Sequence, residues 1–118
     1  MAIVGMKEAR TLKETYGTPL MVVSRREIED RFQMLNDYLP QVQPYYAVKA
    51  NPNPDILEII KNCSPYFDIC SNAEIDMVKS LGVEGTNLIN THPIKKEEDI
   101  KYSLEQGVNW FVFDNEYE

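Results

Sequence analysis

From residue 45 onward, short apolar runs return about every twenty residues, and each of the first three is followed by a polar-capped amphipathic segment. The runs occupy residues 45–48, 66–70, 87–90 and 110–113, and an earlier one lies at 20–23. Strands spaced by one helix length pair side by side in parallel, through right-handed crossovers, because a hairpin turn has no room for a helix. The expected fold class is therefore α/β. In such folds the loops at the carboxyl ends of the strands converge on one face and build the site.

The segments between the runs carry helix start and stop signals. Ser24 with Glu27 has capping-box spacing, and Ile28, Phe32, Leu35 and Leu39 then recur as one face, which predicts a helix over 24–39 with that face buried. Asn53-Pro54 supplies a cap and a proline at the first helical position. Ile56, Leu57, Ile59 and Ile60 follow as an apolar stripe to about Lys61. Ser71 with Glu74 opens a third helix that buries Ile75, Val78 and Leu81 and stops at Gly82. A fourth runs from about Lys96 to Gln106. Its first turn holds Glu97, Glu98 and Asp99, where the helix dipole favours acids, and it should bury Ile100 and Leu104 before Gly107. Residues 1–17 show little periodicity beyond Met6, Ala9 and Leu12 and read as a lead-in.

Composition narrows the function classes. With 118 residues there is material for one core. The 19 Asp and Glu against 12 Lys and Arg leave a net charge of −7, which disfavours phosphate backbones and anionic lipid surfaces, so neither nucleic acid nor membrane is an expected partner. No apolar stretch nears the roughly 20 residues a bilayer span requires, and no apolar signal core follows Met1, so a cytoplasmic location is expected. Cys63 and Cys70 lack Cys-x-x-Cys spacing and His92 stands alone, which argues against a metal site and a disulfide framework. The two cysteines read as small buried apolar residues.

Lys49 closes the run at 45–48, and the later runs also end in polar residues, with Asp68 inside the second. An amine partly withdrawn from water at a strand end becomes available as a nucleophile; a lysine reaching from a strand end into solvent is equally ordinary, and position alone leaves both open. A flavodoxin-like phosphoacceptor would need paired acids after its first strand. Here Ser24-Arg25-Arg26 follows 20–23.

The string Tyr46-Ala47-Val48-Lys49-Ala50-Asn51, continued by Pro52-Asn53-Pro54, resembles the lysine motif of the fold-type III pyridoxal-phosphate (PLP) decarboxylases. Phe67-Asp68-Ile69-Cys70-Ser71-Asn72-Ala73-Glu74-Ile75 is similar to that family's second strand and following helix. Residues 90–95 with Asp99-Ile100 resemble its third strand and the helix after it, and Phe113-Asp114-Asn115-Glu116 is similar to its fourth-strand ending. The matches fall in order over about residues 18–118 and are most like the ornithine-type decarboxylases.

The resemblance implies the first half of a TIM-type β/α barrel. Residues 1–23 would be a lead-in segment and a strand belonging to a separate β domain, and residues 24–118 the first part of the PLP-binding barrel. The rest of the barrel and the β domain would lie outside this sequence. It further implies that Lys49 carries PLP as a Schiff base, that Ala47 lies near the cofactor and that Asp68 faces the linkage. In a full-length homodimer the activity would be decarboxylation of a small basic amino acid, ornithine or lysine. Alternatives are a non-catalytic relative that binds a regulator, and a racemase or PLP carrier on the same barrel. Glu74 is explained by its capping role, His92 by a solvated loop before Pro93, and Tyr45 and Tyr46 by packing on opposite sides of the sheet. Half a barrel leaves two strand edges and one side of its core open, so the chain alone should be weakly stable and prone to associate.

Overall fold

The structure, a computed structural model, describes residues 4–116. Its elements in order are α1 (Met6–Tyr16), α2 (Arg25–Tyr38), β1 (Tyr46–Ala47), a 3-10 turn (Val48–Ala50), α3 (Pro54–Cys63), β2 (Phe67–Ile69), α4 (Asn72–Ser80), a second 3-10 turn (Gly85–Asn87), β3 (Leu88–Asn90), α5 (Glu97–Glu105) and β4 (Trp110–Phe111). All four strands pair in parallel in sequence order. This is the arrangement that successive right-handed crossovers produce.

Register assigns the two faces of the sheet. Tyr46, Phe67 and Leu88 align, and so do Ile69, Asn90 and Phe111. Phe67, Ile69, Leu88 and Asn90 in these rows are buried beneath the helices. The alternate row, Ala47, Asp68, Ile89 and Trp110, lies on the opposite, concave side, where Trp110 is 61% exposed. The core therefore sits between the convex face and α3 and α4, with Val48, Leu57, Phe67, Ile69, Ile75, Val78, Leu88 and Val108 fully enclosed.

The capping signals act as expected. Ser24 Oγ accepts from the Glu27 N–H, Ser71 Oγ from the Glu74 N–H, and Asn53 Oδ1 from the N–H groups of Asp55 and Ile56. Gly82 and Gly107 take positive φ, 82° and 88°, beyond the ends of α4 and α5.

Residues 20–23 pair with no strand among the described residues. Several expectations need correction. Residues 6–16 form a helix that no periodic stripe announced; none of its residues is buried. The α2 stripe is only half used: Ile28 and Phe32 pack on the core, whereas Leu35 and Leu39 are exposed, since α2 leans on α3 beyond the β1 edge. In α5 the enclosed residue is Ser103, with Tyr102 packed beside it, while Leu104 is 54% exposed. Leu104 lies one step around the helix from Ser103, outside the α4 contact. The first apolar run bends into a 3-10 turn at Val48, and the last pairs only over Trp110–Phe111, leaving Val112 and Phe113 exposed.

Trp110, Val112 and Phe113 are exposed in and just beyond the edge strand β4, and the concave side is open. Sedimentation of the chain expressed alone is therefore expected to show self-association, and a soluble monomer with a sharp cooperative melt would contradict this.

Between α4 and α5, the Tyr102 hydroxyl donates to the Asp76 carboxylate. That bond, followed by burial, raises the phenol above its ordinary value of 10.0. Folding thus favours the neutral phenol. Its contribution is complete below the unfolded-state value and fades as pH rises through the raised one. Thermal melts should weaken above pH 10.0, and less steeply in Tyr102→Phe.

Candidate active site

Register brings the polar strand endings to one rim. Lys49 stands in the 3-10 turn after β1, Cys70 follows β2, Thr91 follows β3, and Asp68 projects from β2 into the concave row. Alternation places residues 66, 68 and 70 on the same side, which is why Cys70 meets Lys49: Nζ lies 3.6 Å from Sγ. The neighbouring tips are joined as well. Asp68 Oδ1 accepts from Thr91 Oγ1 at 2.6 Å, and the Thr91 N–H donates to the Ile69 carbonyl at 3.3 Å. The Lys95 ammonium donates to the carbonyls of His92 at 2.9 Å and Val112 at 2.7 Å, tying the third tip to the fourth.

Supporting bonds fix the turns themselves. The Tyr46 hydroxyl donates to the Asn51 carbonyl at 3.4 Å, spanning the turn that presents Lys49, and burial pushes this phenol up. Glu74 Oε2 accepts from the Cys70 N–H at 2.6 Å. A strict capping box would aim that carboxylate at Ser71 instead, so Glu74 holds the loop carrying Cys70 as well as starting α4.

Lys49, Ala47 and Asp68 are thus brought to one face. Lys49 is exposed, the solvent-reaching one of the two placements that its position left open. The two cysteines and His92 differ from expectation. Cys63 and Cys70 are half-buried, not enclosed. Burial, then the Glu29 carboxylate, raises the Cys63 thiol. His92 is half-buried and its Nδ1 accepts from the Ile94 N–H at 3.1 Å, so it is part of a turn rather than solvated. Asp68 pairs with a hydroxyl on the next strand tip. Sequence reasoning passed over Cys70 and Thr91, although two-residue alternation from Asp68 and Ile89 points to both.

A groove of about 620 Å³ also lies on the helix side, lined by Val23, Ile28, Phe32, Tyr46, Ile56 and Ile60. Ser24, Glu27, Arg31 and Asn51 also line it, but its surface is mostly apolar and lies on the face opposite Asp68, so the rim cluster does not belong to it. Among the described residues no group of His, Cys, Asp or Glu could hold a metal ion, and no helix is long and apolar enough to cross a membrane.

Comparison with known proteins decides the family. The family described as "Pyridoxal-dependent decarboxylase, pyridoxal binding domain" matches residues 25–118. The chain belongs to this family. The lysine/ornithine decarboxylase of Selenomonas ruminantium is 34% identical over 109 residues, covering 92% of this chain and 28% of the relative. Antizyme inhibitor 2 of Xenopus laevis is 39% identical over 80 residues, covering 68% of the chain and 18% of the relative. Among solved structures, a lysine decarboxylase from Selenomonas ruminantium superposes with a TM-score of 0.90 at 32% identity, over 97% of this chain and 30% of that one. SrLDC in complex with PLP and cadaverine gives 0.89 at 32% identity, over 97% of this chain and 30% of that one. The chain therefore spans less than a third of the length of these relatives, and its fold is the first part of the decarboxylase β/α barrel.

The residues present fit the aldehyde end of a pyridoxal group. An exposed primary amine stands on the rim, Ala47 offers a side chain small enough for a flat ring to approach, and a carboxylate fixed by a hydroxyl lies one strand away.

Proposed function

We propose that this chain carries the cofactor lysine of a PLP-dependent decarboxylase acting on a small basic amino acid, ornithine or lysine, in a full-length homodimer. The observation that supports it is the placement of Lys49 on the concave rim beside Cys70, with Ala47 and Asp68 level with each other in the row below. When bound, PLP supplies an electron sink for the pair left at the substrate's α-carbon as the carboxylate departs.

The chain's own residues bind and orient. Lys49 would hold the cofactor through Nζ, a primary amine that reaches freely from the rim. Ala47 leaves room for the ring face. Asp68, its carboxylate oriented by the Thr91 hydroxyl at 2.6 Å, would stand beside the group that Lys49 holds. Tyr46 and Glu74 hold the turns after β1 and β2, so that the amine and its surroundings keep one geometry.

The test is reduction with borohydride in the presence of PLP, followed by peptide mapping. A pyridoxyl group on Lys49 is expected, and label scattered over other lysines, or none, would overturn the proposal.

The match to an antizyme inhibitor favours a second reading, a non-catalytic module that binds a regulator. Partner binding without any cofactor absorbance would select it.

A further inference from the structure

Cys70 is the nucleophile in direct contact with Lys49, and the proposed reaction leaves it unused. Its sulfur is 3.6 Å from Lys49 Nζ, its N–H is anchored by the Glu74 carboxylate at 2.6 Å, and its side chain is half-buried beside an exposed, flexible amine. Glu74 fixes the sulfur's backbone, while the four-carbon stem of lysine can cover the remaining distance to a bond. We propose that Cys70 is an oxidation site through which peroxide closes a reversible covalent bridge to Lys49.

The step balances. Hydrogen peroxide takes two electrons from the Cys70 thiol, giving sulfenic acid and water. The Lys49 lone pair then attacks Sγ, a nitrogen–sulfur bond forms as the sulfur–oxygen bond breaks, and hydroxide leaves with a proton from nitrogen as a second water. Two equivalents of an external thiol restore the amine and the thiol and become a disulfide. A nearby amine intercepts the sulfenic acid before a second peroxide oxidises it further, which is what the contact provides. Cys63 is no competing partner: it ends α3, which leads into the start of β2, whereas Cys70 follows that strand's other end.

If Lys49 is the cofactor amine, as proposed above, the bridge removes it from PLP chemistry and makes the site peroxide-sensitive. The experiment treats the full chain with hydrogen peroxide without PLP and maps its peptides. A peptide pair joined through Cys70 and Lys49 is expected, lighter than the sum of its parts by two hydrogens, released by dithiothreitol and absent from Cys70→Ala. Pyridoxyl labelling of Lys49 should fall to background after peroxide, return after dithiothreitol, and persist through peroxide in Cys70→Ala. Sulfinic acid on Cys70 with Lys49 unlinked, or a disulfide to Cys63, would overturn the inference. Failure of the reduced protein to take up PLP would instead sink the functional reading, while the joined peptide would still establish the bridge.

Discussion

Replacing Lys49 with arginine should abolish pyridoxyl labelling and leave stability unchanged. Arginine keeps the positive charge and a similar reach, so any contribution from simple attraction to the cofactor's phosphate survives. What it loses is a nitrogen lone pair able to attack an aldehyde, because the guanidinium remains protonated and delocalised. Lys49 is exposed and, among the described residues, its side chain meets Cys70, so Lys49→Arg and Lys49→Ala should each unfold within about 0.5 kcal/mol of the parent. Urea melts together with borohydride trapping separate the two possibilities. Retained labelling in Lys49→Arg would remove the chemical role, and a large loss of stability would make the residue structural.

Gly85→Ala is expected to damage the fold more than any other methyl-sized addition. A Cβ on Gly85 would lie 2.0 Å from the Gln106 carbonyl oxygen and 2.7 Å from the Gly107 carbonyl carbon. Both are backbone atoms at the end of α5, and the Gln106 oxygen also accepts from Lys79 Nζ at 2.9 Å, so the turn cannot move without breaking the α4–α5 link. Overpacking of this kind costs about 3 kcal/mol or more, a large part of a small domain's stability. Loss of soluble protein or a strongly lowered urea midpoint is expected. Gly5→Ala is the control, since its backbone is ordinary at φ −74° and nothing lies within 4 Å. Equal midpoints for the two variants would refute the close approach. Nothing in the sequence near Gly85 signals it, because the clash is with Gln106 and Gly107, far along the chain.

The parts of the fold legible in sequence are those whose cause is local. Ser24, Asn53 and Ser71 satisfy orphan N–H groups within three residues of themselves, and helices start there. The apolar runs show where strands lie, and their spacing requires parallel pairing. Lys49, Ala47 and Asp68 could be named as candidates because motif and strand position coincide.

Burial of α2 and α5 was less legible, because a helix stripe states what could be covered and not what is present to cover it. Leu35, Leu39 and Leu104 stay exposed for that reason. Residues 20–23 have strand composition and no partner, and a strand exists only as a pairing. The distances from Lys49 to Cys70 and from Asp68 to Thr91 also depend on register, in which a shift of one residue would turn each side chain to the other face. Sequence by itself therefore determined the order and type of the helices and strands from α2 onward and the amine at the end of the first barrel strand. Tertiary structure alone decided which side chains meet that amine, because those contacts join residues far apart in the chain through the alignment of neighbouring strands.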